Sequence, residues 1–129
     1  MIKRKYIVSF FIPLLVIILF ASCHSEKKAN LILSIVDYDF GDICSDSIYK
    51  GRSTITNSGN IPLIIDKIDS DCGCTSVAIS KNVILPQDTC LLTFNYSTYN
   101  KIGLQENFIC IIANTDSLVH LLQINAYVN

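Results

Sequence analysis

Cys90-Leu91-Leu92-Thr93-Phe94-Asn95-Tyr96 decides the fold class. Cys90, Leu92, Phe94 and Tyr96 occupy every second place, the two-residue period of a strand whose two faces see different surroundings. The same signature recurs on either side. Upstream, Val36, Tyr38 and Phe40 alternate with Asp37 and Asp39, and Gly41-Asp42 is expected to end that strand. Ile48 to Thr56 is a strand rich in Ile, Ser and Thr. Asn57-Ser58-Gly59-Asn60 reads as a turn, because Asn and Gly take positive φ cheaply. Pro62 to Ile68 follows, with Pro62 at a strand start, where no ladder donor is needed. Thr75 to Ser80 is a shorter strand, and Leu85-Pro86-Gln87-Asp88 is a turn. Downstream, Asn107–Ala113 is apolar on both faces and is expected to be a central strand. Asn114-Thr115-Asp116 turns the chain, and Leu118–Val128 closes it. Seven to eight strands spaced about a dozen residues apart, with no helical period long enough for a major helix, predict an all-β antiparallel sandwich over residues 31–129.

The 129 residues are half apolar and only 16% charged, too apolar for disorder and long enough for one domain. Much of the apolar excess lies in residues 6–21, directly behind Lys3, Arg4 and Lys5. A basic start, an apolar run and small residues before Cys23 form a secretory signal pattern, so residues 1–22 are read as a signal helix removed on export. A permanent span needs about 20 apolar residues, and this run is shorter and carries Pro13. Its removal leaves 107 of the 129 residues, with 7 of the 10 basic and all 11 acidic side chains, a net charge of −4. An acidic domain without a basic stripe excludes nucleic acid, whose phosphates demand Lys and Arg.

Phe20-Ala21-Ser22-Cys23 resembles a bacterial lipobox, with Phe20 in place of the usual Leu, a relaxed form found in Bacteroidota lipoproteins. The resemblance implies lipidation of Cys23 and a polar tether over residues 23–30; ordinary secretion is the alternative. Acyl chains contribute ~0.8 kcal/mol per buried CH₂ and anchor a protein without a protein helix in the bilayer. Position 24 is His rather than the Asp of inner-membrane retention, so the expected location is the outer membrane, facing the periplasm.

Three strings carry a second resemblance: Asp39-Phe40-Gly41-Asp42-Ile43, then Thr56-Asn57-Ser58-Gly59-Asn60-Ile61-Pro62-Leu63-Ile64-Ile65, then Asp71-Cys72-Gly73-Cys74-Thr75. Together they resemble the bacterial domain of unknown function 1573, over about residues 33–128. Ile84-Leu85-Pro86-Gln87-Asp88 matches its Pro-Gly turn, with Gln87 where the family has Gly, and Asn114 sits where the family has Asn after a long strand. The resemblance implies an immunoglobulin-like sandwich of the major-sperm-protein and PapD-like group, often carried on Bacteroidota lipoproteins. It implies no activity. Asn57, Gly59, Pro62 and Gly73 are its motif turn residues.

Beyond Cys23 there are five cysteines, Cys44, Cys72, Cys74, Cys90 and Cys110, so at least one thiol is unpaired within a monomer. Cys90 and Cys110 share strand parity with Leu92, Phe94, Phe108 and Ile112 and are expected to be buried as small hydrophobes. Cys72-Gly73-Cys74 is the one constellation suited to chemistry. In an extended strand the two Cα atoms stand roughly 6.6 Å apart, near the upper end of the roughly 4.4–6.8 Å that a disulfide spans, so a bond between them needs a bend that Gly73 permits. The alternatives are a reducible redox pair, two thiolates for a monovalent copper ion, or a structural role including a bond to a distant cysteine. Zinc lacks further ligands, since only His24 and His120 exist. The sequence neighbourhood offers Lys67 and Lys81 to lower a thiol pKa, against Asp66, Asp69 and Asp71, which would raise it.

Asp66, Asp69 and Asp71 read as a solvated acidic edge, without the Gly and terminal Glu of a calcium loop. His120, between Val119 and Leu121, reads as a surface histidine rather than part of a catalytic set. Ser47 in Asp46-Ser47-Ile48 and Ser117 in Asp116-Ser117-Leu118 resemble acceptors of Bacteroides O-glycans. The expectation is a lipid-anchored cell-envelope binding or assembly module, non-enzymatic and without a cofactor. Its partners are the membrane, through the lipid, and an unidentified envelope protein. The alternative is a periplasmic thiol-redox or monovalent-copper-handling protein using Cys72 and Cys74.

Overall fold

A computed structural model describes residues 23–129; the signal helix expected over residues 1–22 lies outside the described residues. The described chain forms nine strands: β1 (Leu31–Leu33), β2 (Asp37–Ile43), β3 (Ile48–Asn57), β4 (Leu63–Ser70), β5 (Thr75–Ile79), β6 (Val83–Ile84), β7 (Thr89–Ser97), β8 (Gly103–Ala113) and β9 (Val119–Val128). They build two sheets, one of order β1-β3-β7-β5 and one of order β2-β9-β8-β4-β6. The all-β sandwich expected from the two-residue period is the fold, with two short strands, β1 and β6, that the alternation alone does not reveal.

The inner faces follow the parity of the sequence. Leu92, Phe94 and Tyr96 of β7 are buried against Ile109 and Ile111 of β8 and Leu122 and Ile124 of β9. Full burial of such side chains contributes roughly 1.5–3 kcal/mol each. Phe40 of β2 stacks on Tyr96 with ring centroids 5.9 Å apart, and Tyr38 meets Phe94 edge-on at 5.1 Å. β8 is the middle strand of its sheet, in keeping with its apolar character on both faces.

Four expectations are corrected. The sandwich is not wholly antiparallel: β2 runs parallel to β9, pairing Tyr38 with Ile124 and Ile43 with Val128. Alternation is the same in parallel and antiparallel strands, so the pattern carries no sign of direction. Gly41-Asp42 does not end β2. Gly41, at φ +69°, makes a bulge between Asp39 and Asp42, and pairing resumes through Ile43. Cys110 is not in the core: Ile109, Ile111 and Ala113 take the inner face of β8, which turns Cys110 outward and half-buries it. Finally, the end of the tether is folded. Ala29 is only 3% exposed and bridges to Thr115, and Lys28 pairs with Asp116 at 3.9 Å.

Candidate functional site

The two ends of the sandwich differ in what they hold. At one end the turn after β3 meets residues 28–30 and the turns at 85–88 and 114–118. Asn57 is fully buried here, and its side chain does the joining. Its Nδ2 donates to the carbonyls of Ile61 (2.8 Å) and Ile84 (2.9 Å), and its Oδ1 accepts the Gly59 N–H at 2.9 Å. Neither Asn57 nor Gly59 takes the positive φ that the turn reading supposed. Gly59 is required instead by proximity: a Cβ there would lie 2.7 Å from Asn30 N and 2.8 Å from Ala29 Cα. The Ser58 N–H donates to Asn30 O at 3.0 Å and the Asn60 N–H to Lys28 O at 2.9 Å, so the N-terminal segment docks as an extra edge. Pro62 precedes β4, and its carbonyl accepts Asn114 Nδ2 at 3.1 Å while Asn114 Oδ1 accepts the Ile64 N–H at 2.7 Å. Gln87 takes the left-handed conformation at φ +66°, one that glycine adopts without strain.

The opposite end holds the sulfur pair. Cys72 and Cys74 are bonded to each other, with Cα atoms 5.1 Å apart, closer than an extended strand would hold them. Gly73 lies at the tip of this tight turn, with open space where its Cβ would stand. The turn is tied down: Thr75 N–H donates to Cys72 O at 3.1 Å, and Ser97 N–H to Cys74 O at 2.8 Å. With the sulfurs joined, neither thiolate is free to hold a copper ion; reduction would have to come first.

Folding brings to this end residues that sequence distance conceals. Lys101 Nζ lies 3.9 Å from Cys72 Sγ and 5.9 Å from the centroid of the Tyr96 ring. The two lysines nearest in sequence are engaged elsewhere, Lys67 with Asp69 at 3.6 Å and Lys81 with Asp88. Asp71 turns its carboxylate to the Phe108 N–H at 2.9 Å. The hydroxyl of fully buried Tyr96 has no hydrogen-bond partner among the described residues, and burial pushes its pKa above the ordinary tyrosine range.

The remaining cysteines are apart. Cys90 is buried under Ser80, and Cys23 and Cys44 are exposed. Cys110 contributes to an apolar groove of about 400 Å³ on the outer face of β4, β8 and β9, with Phe108, Ile112 and Leu121. His120 Nε2 lies 2.7 Å from Thr115 Oγ1. Ser117 is exposed in the β8–β9 loop, whereas Ser47 is half-buried with its hydroxyl donated to Ser45 O at 3.2 Å.

The sheet edges form a further surface. β1 and β6 are only three and two residues long. β2 is guarded by Asp37, Asp39, Asp42 and the Gly41 bulge, the usual devices against edge pairing. β5, Thr-Ser-Val-Ala-Ile, has none of these. Ser97 N–H donates to Cys74 O and Ser80 N–H to Leu91 O, which fixes residues 74, 76, 78 and 80 as the ones bonded to β7. The backbone groups of Val77 and Ile79 therefore point away from the sheet. No sequence signal marks this edge, because strand order is not written in alternation.

Comparison with solved structures reports the fold. The chain is similar to a protein of unknown function from Porphyromonas gingivalis W83, at 16% identity and a TM-score of 0.69, covering 84% of this chain and 50% of that one. It is also similar to a PapD-like domain of human CEP192, at 8% identity and a TM-score of 0.60, covering 84% of this chain and 91% of that one. The VesB protease of Vibrio cholerae matches at 10% identity and a TM-score of 0.61, over 77% of this chain and 31% of the protease. The chain thus spans half the length of the Porphyromonas protein and less than a third of the protease. A search of curated proteins finds no match. A family profile described as protein of unknown function (DUF1573) matches residues 32–128, nearly the whole described chain, so the chain belongs to that family.

Proposed function

We propose that this protein is a non-catalytic, lipid-anchored binding module of the cell envelope that takes up an extended segment of a partner protein along β5. The observation that carries the reading is the unguarded edge: five uncharged residues, without proline or bulge, offering the open backbone groups of Val77 and Ile79. A strand added there gains main-chain hydrogen bonds without rearrangement of the sandwich.

The anchor end supports a defined orientation. Cys23 is exposed, and because Asn60 Nδ2 donates to Ser25 Oγ at 3.1 Å and to Glu26 O at 2.9 Å, only His24 separates it from the docked segment, a reach of roughly 7 Å. A lipid on Cys23 would hold the Asn57 end toward the outer membrane. The Cys72–Cys74 end, one length of nine-residue β7 away, would face the periplasm at roughly 30 Å.

A photoreactive residue at Ser76 or at Asp39 in living cells tests the reading. Adducts with an envelope protein are expected from position 76 and not from position 39, and Val77→Pro should abolish them without disturbing the ladder to β7. Equal crosslinking from both edges, or adducts that survive Val77→Pro, would refute it. Palmitate labelling lost in Cys23→Ala tests the anchor separately.

A further inference from the structure

We propose that the Cys72–Cys74 disulfide is an asymmetric acceptor for an incoming thiol, in which Cys74 is the sulfur attacked and Cys72 the sulfur that leaves. The inference stands on the geometry of the disulfide and does not depend on strand addition at β5.

The two sulfurs have different surroundings. Cys72 Sγ receives the Cys74 N–H at 3.2 Å and faces the Lys101 ammonium at 3.9 Å. Both donors strengthen as negative charge gathers on that sulfur, so a Cys72 thiolate is the better leaving group. Among the described residues, Cys74 Sγ has only the Thr75 hydroxyl, at 3.8 Å. Access points the same way. Cys74, with Gly73, Lys50, Ser76 and Asn95, lines an open concavity of about 390 Å³ that Cys72 does not line. The space above Gly73 is clear, and Lys50 gives the approach a positive charge that draws a thiolate in. Asp71, the carboxylate adjacent to Cys72 in sequence, is turned to the Phe108 backbone.

A thiolate attacks Cys74 Sγ; the new S–S bond forms, the Cys72–Cys74 bond breaks, and its electron pair leaves on Cys72 Sγ. When the reactant is a dithiol, its second thiolate attacks its own sulfur in the mixed disulfide and expels Cys74 as thiolate. The dithiol leaves as a disulfide, oxidised by two electrons, and Cys72 and Cys74 take up the two protons it has lost.

Reduced glutathione is the probe. The full chain, its exposed Cys23 and Cys44 first blocked, is mixed with glutathione at neutral pH. Early samples are quenched in acid, alkylated, and mapped by peptide mass spectrometry. Glutathione is expected on Cys74 and the alkyl group on Cys72. Lys101→Met should slow opening roughly three- to tenfold, and Lys101→Arg should stay within about twofold of the parent. Circular dichroism confirms the fold of each variant, with Lys101→Gln replacing any Met variant that fails to fold. Glutathione on Cys72, an even split, an unchanged rate on loss of the Lys101 charge, or no opening of the native protein at millimolar thiol would each overturn the proposal.

Discussion

Asn57 and Ile84 join the two sheets through one hydrogen bond: the Asn57 Nδ2 at the end of β3 donates to the Ile84 carbonyl of β6 at 2.9 Å, in a fully buried site. The same nitrogen satisfies Ile61 O, so truncation orphans two carbonyls and the Gly59 amide at once. Asn57→Ala should therefore lower stability by about 2–4 kcal/mol. Asn57→Asp, which removes the donors and sets a carboxylate against two carbonyls, should cost at least as much. Urea denaturation of the two variants measures both.

Gly59→Ala should undock the N-terminal segment. The added methyl meets the backbone of Lys28–Asn30, which has no flexible end to yield. A loss of about 1–3 kcal/mol is expected, together with rapid tryptic cleavage after Lys28, a site that the hydrogen bonds to Asn60 and Ser58 otherwise protect. Limited proteolysis followed by mass spectrometry reads the second effect directly.

Gln87→Gly should stabilise the protein. Gln87 sits at φ +66°, where an L side chain costs roughly 1–2 kcal/mol and glycine nothing. Part of that gain is offset by the entropy of glycine in the unfolded chain and by loss of the 3.3 Å contact from Gln87 Nε2 to Gly59 O. A net gain of about 0.5–1 kcal/mol is expected, read as a higher thermal midpoint.

Acid should weaken the β6–β7 turn. The hydrogen bond from Lys81 and the N–H of Thr89 hold the Asp88 carboxyl below its ordinary value of 3.8. A depressed carboxylate contributes stability above its unfolded pKa, and that contribution is lost as pH falls through the folded one. The parent should therefore lose more stability than Asp88→Asn between about pH 5 and about pH 2. The difference should shrink in about 1 M salt, because the pair is exposed. Urea midpoints across that range check the sign.

What the sequence disclosed and what it concealed divide along one line. β7 and the centrality of β8 were legible because burial on one or both faces leaves its mark at every second residue. The Cys72–Cys74 bend was legible as a condition for a bond between them, since an extended strand holds the two Cα atoms near the upper end of what a disulfide spans. Local turn chemistry flags Gly59, whereas the constraint on it is the approach of a backbone about thirty residues distant. Lys101 leaves no mark in the sequence, because 29 residues separate it from Cys72 and nothing local foretells their meeting. The outward turn of Cys110 is hidden because Phe108, Cys110 and Ile112 are as apolar as Ile109, Ile111 and Ala113, and composition alone does not say which set faces the core.

Strand addition at β5 is tested most directly by residue-resolved amide exchange of the full-length protein, alone and with detergent-solubilised envelope extract. Alone, Val77 and Ile79 should exchange fast, while Ser76 and Ala78, bonded to β7, exchange slowly. With extract, Val77 and Ile79 should become protected and the amides of β2 should not change. Slow exchange at Val77 and Ile79 in the isolated protein, or protection that arises on β2 instead, would contradict it.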